Sequence, residues 1–135
     1  MTQYSEKKFV ASTIEVNYAE GPNNGPPLVL IHGIGGFWRN WEPVIDQFST
    51  DWHVYAVDLR GHGDSGRTPE GYRFIDYPIE IVEFLRNVVD EPAFLVGHSL
   101  GAITSSGVCA VTPDLVASAV LEDPPLYRSE EHTSE

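Results

Sequence analysis

Short runs of consecutive apolar residues constrain this fold more than any other feature of the sequence. Residues 28–31 (LVLI) and 93–96 (AFLV) contain no polar residue, and residues 53–57 (HVYAV) are nearly as apolar. Runs of this length without polar alternation are typical of strands buried on both faces of a sheet. Helix-compatible segments lie between them, so the sequence predicts an α/β fold, with a mostly parallel sheet and helices on both faces.

The remaining segments complete this pattern. The other expected elements are an antiparallel edge over 8–19, a short helix over about 41–48, a helix from Asp76 to about Val89, a helix from Ser99 to the break at Pro113, and a last strand over 116–121. Asn40 and Asp76 are the predicted N-caps of the first two helices, because their side-chain oxygens can accept from unpaired backbone N–H groups.

The charge balance argues against several classes of partner. The 135 residues include 8 Lys and Arg against 20 Asp and Glu, a formal net charge of −12, and 41% are hydrophobic. Such a surface repels phosphate backbones and anionic headgroups, so we expect neither nucleic acid nor a membrane as a partner. The first ten residues lack the apolar segment of a signal peptide, which favours a soluble, cytoplasmic protein.

The cysteine and histidine residues predict neither a disulfide nor a metal site. Cys109 is the single cysteine and is expected in the core, and the five histidines show no zinc-ligand spacing. We therefore expect no metal and no cofactor.

The segment 97–101 (GHSLG) is the most informative one for function. A nucleophilic serine must project its hydroxyl away from the backbone, which a sharp strand-to-helix turn achieves by straining the serine. Such a turn crowds the flanking backbone, and Gly97 and Gly101 relieve that crowding. A buried-type strand precedes the segment and a helix-compatible stretch follows it, so we predict that Ser99 is a catalytic nucleophile.

A glycine-rich loop, HGIGG over 32–36, follows the first apolar run. Acyl transfer requires at least two donors directed at the developing oxyanion, and backbone N–H groups supply them without reorganisation. We assign these donors to the N–H groups of Ile34 and Leu100. The alternative interpretation is a turn between strand and helix with no catalytic role.

Three motifs resemble those of the serine hydrolases of the α/β-hydrolase fold: LVLIHGIGG over 28–36, DLRGHGDSG over 58–66 and LVGHSLGA over 95–102. The resemblance covers about residues 8–127 and implies a sheet with strand order 1-2-4-3-5-6. It also implies Ser99 as nucleophile, with Ile34 and Leu100 at the oxyanion hole. Dehalogenase and epoxide-hydrolase relatives have aspartate in place of this serine, so ester, thioester, lactone or C–C bond substrates are expected.

Several residues near these motifs are expected to be structural. In the family pattern His98 packs under the turn and does not act as the base. Asp58 and Arg60 are expected to form a pair that fixes their loop, while His32 and His62 are expected to hydrogen-bond the backbone near the site. Three aromatic residues either line an acyl pocket or cover the sheet, namely Phe37, Trp38 and Trp41.

The residues after Ser99 do not complete a catalytic triad. In this fold the base and the acid follow the serine in the chain, and the one later histidine is His132. His132 comes too soon after the last predicted strand, so the catalytic histidine is expected beyond residue 135. Asp123, at the end of that strand, is a candidate acid.

The same gap determines the predicted domain organisation. Residues 1–127 are interpreted as the N-terminal part of a single α/β-hydrolase domain, truncated after about the sixth strand. The polar segment 128–135 (RSEEHTSE) is predicted to be a disordered tail, and a non-native origin is one interpretation of it. The 135-residue chain alone is expected to show at most weak activity.

The leading hypothesis is a serine hydrolase that acts on a small molecule through an acyl-enzyme, in the full-length parent protein. One alternative is a receptor-like protein that binds a small molecule in the same pocket without turnover. Another is an acyltransferase, which uses the same covalent intermediate with an acceptor other than water. The sequence leaves the oligomeric state open.

Overall fold

Six β-strands form one mixed sheet within residues 4–125, the part of the chain that the computed structural model describes. The strands are β1 (Ser5–Val10), β2 (Glu15–Glu20), β3 (Pro27–Ile31), β4 (His53–Val57), β5 (Ala93–His98) and β6 (Val116–Glu122). Their order is β1-β2-β4-β3-β5-β6, which confirms the expected topology. β1 pairs antiparallel with β2 and β2 with β4, whereas β4, β3, β5 and β6 run parallel.

Within residues 4–125, three α-helices connect the parallel strands. They are α1 (Glu42–Ser49), α2 (Pro78–Phe84) and α3 (Leu100–Val111). A π-helical turn extends α2 over Leu85–Val89, and Asp90 ends it with a left-handed φ of 57°. Short 3-10 helices occupy Trp38–Trp41, Phe74–Asp76 and Pro113–Leu115. No helix within residues 4–125 has both the length and the apolar character to cross a membrane.

Two hydrophobic clusters cover the two faces of the sheet. On β3, Leu28 and Leu30 belong to the cluster that contains Ile45 of α1, whereas Val29 and Ile31 belong to the cluster formed with α2 and α3. Successive strand residues point to opposite faces, so β3 must be apolar at every position to contribute to both clusters. All five of its residues are buried, and helices on both faces are confirmed.

The two predicted N-caps are wrong. The Asn40 side chain accepts a hydrogen bond from the Phe37 N–H at 2.9 Å, inside the 3-10 helix that precedes α1. Asp76 likewise accepts from the Arg73 N–H at 2.9 Å, and α2 begins only at Pro78. Both side chains cap a short 3-10 helix immediately upstream of the α-helix, so each α-helix begins later than predicted.

Strand β6 is the outermost strand of the described part of the sheet. It pairs in parallel with β5, and most of its residues are exposed. The predicted domain boundary at residue 127 and the predicted tail over 128–135 lie outside the described residues.

Candidate active site

Ser99 occupies a strained turn between β5 and α3. Strand β5 ends at His98 and helix α3 begins at Leu100, so this single residue joins the two elements. Its φ of 53° and ψ of −111° lie outside the regions that non-glycine residues usually adopt. Such a conformation costs on the order of 1–3 kcal/mol and persists only where the surrounding structure enforces it.

Gly97 and Gly101 allow the close backbone contacts around this turn. A Cβ atom at Gly97 would overlap the carbonyl group of Gly101, and a Cβ atom at Gly101 would overlap the carbonyl oxygen of Ile31 at the end of β3. These neighbours are backbone atoms, which cannot move aside as the end of a flexible side chain can. The steric reason for both glycines that the sequence suggested is therefore present in the structure.

Backbone hydrogen bonds hold Ser99 from two sides. Its N–H donates to the carbonyl oxygen of Glu122 at 2.9 Å, which connects the turn to the end of β6. Its carbonyl accepts from the N–H groups of Ala102 and Ile103, at 2.9 and 3.1 Å, in the first turn of α3. The strained residue is thus held by both the sheet and the helix.

The glycine-rich loop after β3 packs directly against this turn. A Cβ atom at Gly33 would lie 3.1 Å from the His98 ring and 3.4 Å from the Cβ of Ser99, so there is little room for a side chain between the loop and the turn. The Gly36 N–H donates to the Gly33 carbonyl at 3.0 Å, and Gly35 has a left-handed φ of 77°. The loop therefore folds back tightly beside the predicted nucleophile.

Both predicted oxyanion donors belong to backbone that lies beside Ser99. Within residues 4–125, the Ile34 N–H makes no backbone hydrogen bond in its loop. Leu100 is the first residue of α3, and the first N–H groups of a helix have no acceptor inside that helix. Ile34 is 75% exposed and lines the cavity beside Ser99, whereas Leu100 is buried and is not part of the cavity lining formed by the described residues.

His32 holds the base of the loop. Its Nδ1 lies 2.7 Å from the Gly33 carbonyl oxygen, and its Nε2 accepts from the Leu59 N–H at 3.0 Å. This pattern requires the neutral ring with its proton on Nδ1, and burial lowers the pKa of His32 to about 4. His62 also bonds backbone, with Nδ1 2.8 Å from the Arg60 carbonyl oxygen. Both histidines have the structural contacts expected from the sequence.

The expected pair of Asp58 and Arg60 is wrong, although both residues fix their loop. The buried Asp58 carboxylate accepts from the N–H groups of Trp38 at 2.8 Å and Asp64 at 3.0 Å, and from the Asn17 side chain at 2.9 Å. Because three donors already surround this carboxylate, it needs no cation. It connects the loop after β4 to the segment that leads into α1.

Arg60 instead contacts α2. Its guanidinium forms a buried ion pair with Glu80, which also accepts a hydrogen bond from the Thr13 hydroxyl. The same guanidinium donates to the Gly71 carbonyl at 2.8 Å. Arg60 therefore joins the loop after β4 to helix α2, and Glu80 extends this connection to the turn between β1 and β2.

A cavity of about 510 Å³ is open to solvent above Ser99. The glycine-rich loop, the turn and the end of β6 form its lining, which consists of His32, Gly33, Ile34, Gly35, Gly36, Asn40, Trp41, His98, Ser99 and Glu122. Of the three aromatic residues with two interpretations, Trp41 lines the cavity and Trp38 is buried on the α1 face of the sheet. Phe37 is 38% exposed.

The expectation that His98 packs under the turn is wrong. Its side chain is 47% exposed, and its Nδ1 lies 2.8 Å from a carboxylate oxygen of Glu122. The two residues are direct neighbours in the parallel register of β5 and β6. Glu122 is a cavity residue that the sequence interpretation missed in favour of the adjacent Asp123. The signal for it was its place at the carboxyl end of a strand parallel to β5.

No histidine within residues 4–125 is hydrogen-bonded to the Ser99 hydroxyl. Each histidine ring in this range has other partners. The rings of His32 and His62 bond to backbone groups, and those of His53 and His98 lie against glutamate carboxylates. Asp123 follows β6 with a left-handed φ of 53° and is not part of the cavity lining formed by these residues. His132 lies outside the described residues.

A mostly parallel sheet with this strand order, and a serine in a strained turn between strand and helix, define the α/β-hydrolase class. The sequence profile of the alpha/beta hydrolase fold matches residues 26–134, and the chain belongs to this family.

The curated relatives include hydrolases of amidomethylene succinates. The chain is 38% identical over 92 residues to the (E)-2-((N-methylformamido)methylene)succinate hydrolase of Acinetobacter baylyi, covering 68% of this chain and 35% of that protein. It is 40% identical over 100 residues to the 2-(acetamidomethylene)succinate hydrolase of Mesorhizobium japonicum, covering 74% and 36%. The chain thus spans about a third of the length of these relatives.

Solved structures show the same similarity. A crystal structure of E-2-(acetamidomethylene)succinate hydrolase superposes with a TM-score of 0.84 at 36% sequence identity. The match covers 90% of this chain and 45% of that one. The fold described above therefore corresponds to somewhat less than half of a known hydrolase structure.

Proposed function

We propose that this chain is part of a serine hydrolase that cleaves an ester-like acyl bond of a small molecule through an acyl-enzyme. The observation that carries the proposal is the strained backbone of Ser99 at the β5–α3 junction. Ser99 also lines the cavity. Strain of this kind lifts a side chain off the backbone, and proteins retain it where it contributes to a mechanism. The similarity to named hydrolases supports the same reaction class.

In the proposed reaction, Ser99 Oγ attacks the acyl carbonyl carbon as a histidine from outside residues 4–125 takes the hydroxyl proton. The carbonyl oxygen becomes an oxyanion, which the N–H groups of Ile34 and Leu100 stabilise. The leaving group departs with the proton from the imidazolium, and the acyl group remains on Ser99. Water then attacks the acyl-enzyme with the same histidine as base, which releases the acid and restores the serine.

The oxyanion assignment rests on the packing of the loop against the turn. Gly33, Ile34 and Ser99 line the same cavity, and Leu100 directly follows the proposed nucleophile. Donors held by a tight turn and by a helix N-terminus need little reorganisation as charge develops, and one such donor contributes on the order of 3 kcal/mol to transition-state stabilisation.

The test is covalent labelling of the full-length protein that contains this chain. A fluorophosphonate probe should label the wild-type protein, and peptide mass spectrometry should locate the adduct on Ser99. Ser99→Ala should abolish labelling and hydrolysis of p-nitrophenyl esters. Ser106→Ala, on the same helix α3, is the matched control and should retain both.

Each other outcome points to a different function. Equal labelling of wild type and Ser99→Ala would overturn the nucleophile assignment. Tight binding of a small molecule with neither labelling nor turnover would favour the receptor-like alternative. Labelling together with ester products in the presence of an added alcohol, and no free acid, would favour acyl transfer over hydrolysis.

A further inference from the structure

The charges around the cavity are unequally distributed. Of the ten residues that the described part of the chain contributes to its lining, none is Lys or Arg, and one is a carboxylate, Glu122. The histidines are the other ionisable groups there. Burial lowers the pKa of His32 to about 4, so that ring is neutral near pH 7.

Glu122 lines the same cavity as Ser99. Its carbonyl oxygen accepts from the Ser99 N–H at 2.9 Å, so the backbone of Glu122 is bonded directly to the residue of the proposed nucleophile. Its carboxylate is 2.8 Å from Nδ1 of His98, and its side chain is 66% exposed.

We infer that the site selects acyl groups that carry no negative charge, with Glu122 as a specificity-determining residue that disfavours substrate carboxylates. This inference rests on the proposed function and names its substrate class. A substrate carboxylate in the cavity would face Glu122 without a Lys or Arg partner from the described residues. The net charge of −12 on this chain contributes a longer-range repulsion of anions.

The inferred substrate class differs from that of the named relatives. Two relatives are hydrolases of amidomethylene succinates, which are dicarboxylates. Recognition of a carboxylate in a protein site usually uses Arg or a cluster of N–H donors. Glu122 is instead a carboxylate, which accepts hydrogen bonds and repels a second carboxylate. By this inference, the sequence similarity to these relatives does not extend to the charge of the substrate.

The experiment compares two esters of equal length with the full-length protein. p-Nitrophenyl hexanoate and the p-nitrophenyl monoester of adipic acid differ only in a terminal methyl or carboxylate group. The ratio of their kcat/KM values should favour the hexanoate in the wild type. In Glu122→Gln this ratio should fall about two- to fivefold, the range expected for removing one exposed charge near a protein surface.

Asp114→Asn is the matched control for the loss of one negative charge. Asp114 follows the far end of α3, about 18 Å from Ser99 along a twelve-residue helix. The ratio of the kcat/KM values for the two esters should be the same in Asp114→Asn as in the wild type. A second measurement needs no variant: in 1 M salt the wild-type preference should weaken, because screening suppresses the charge–charge part of the discrimination.

The outcomes separate the two proposals. If neither ester is hydrolysed in a Ser99-dependent way, the proposed function fails and this inference fails with it. If Ser99-dependent hydrolysis favours the adipate ester, or if Glu122→Gln and high salt leave the ratio unchanged, the inference alone is overturned. A ratio that falls in both Glu122→Gln and Asp114→Asn would also contradict it, because a general charge effect would then explain the preference.

Discussion

Protonation of His32 is predicted to destabilise the fold below neutral pH. Its Nε2 accepts a hydrogen bond from the Leu59 N–H, and its Nδ1 donates to the Gly33 carbonyl. The folded state therefore favours the neutral form of the His32 ring. A proton on Nε2 would replace this acceptor with a second donor and place a charge in a side chain that is 1% exposed. The unfolded chain imposes neither constraint, and it therefore binds this proton more readily.

The size of the effect follows from the two pKa values. The pKa of His32 is about 4 in the folded state, against an ordinary value of about 6.5 in the unfolded chain. The unfolded state binds more protons between these values, so stability is complete above about pH 6.5 and falls as the pH decreases. Linkage gives a loss of about 2 kcal/mol between pH 8 and pH 5, approaching about 3 kcal/mol below pH 4.

The assay is urea unfolding of the full-length protein at pH 8 and pH 5, with wild type and His32→Asn compared. Carboxylates titrate in both proteins, so the difference between them isolates the contribution of His32. The variant should be less stable at pH 8, and this gap should narrow by about 2 kcal/mol at pH 5. A gap that stays constant within about 0.5 kcal/mol would refute the reasoning, as would an NMR titration of wild-type His32 with an ordinary pKa.

Two further substitutions test the contacts that support the site. Glu80→Gln leaves the buried Arg60 guanidinium without its anion and should cost about 3 kcal/mol in urea unfolding, whereas the exposed Glu42→Gln should cost less than about 1 kcal/mol. A loss below about 1 kcal/mol for Glu80→Gln would contradict the buried pair. Gly101→Ala should lower both stability and fluorophosphonate labelling, because its Cβ would overlap the Ile31 carbonyl. If Gly101→Ala were labelled as strongly as the wild type, the close contact between the turn and β3 would not be required for the reactivity of Ser99.

The sheet could be predicted because its signals are local. The runs at 28–31, 53–57 and 93–96 are short, apolar and bounded by turn residues, and all three are strands in the structure. The first residues of α1 and α2 were harder to predict from the sequence. Asn40 and Asp76 have the right chemistry for an N-cap, but each serves a preceding 3-10 helix. Local propensity does not distinguish these uses, since both satisfy a backbone N–H group two or three residues away.

The polar contacts of the site were harder to predict, because they join residues distant in sequence. Asp58 and Arg60 are near neighbours along the chain, which favoured the interpretation of a pair. In the structure Arg60 bonds Glu80 instead, and Asp58 bonds Trp38. Glu122 was missed for the same reason. Its proximity to His98 depends on the register between β5 and β6, which no local pattern specifies.

The strained serine shows why its motif is informative only together with the surrounding strands. The conformation of Ser99 is held by a hydrogen bond to Glu122 on β6, and the turn packs closely against the end of β3 through Gly101. The glycines of the motif only make these contacts sterically possible. The strands on either side of β5 supply the contacts themselves, because the order of the sheet places β3 and β6 next to β5. A GHSLG segment without a paired strand on each side would lack the partners that maintain the strain, and its serine would relax to an ordinary conformation.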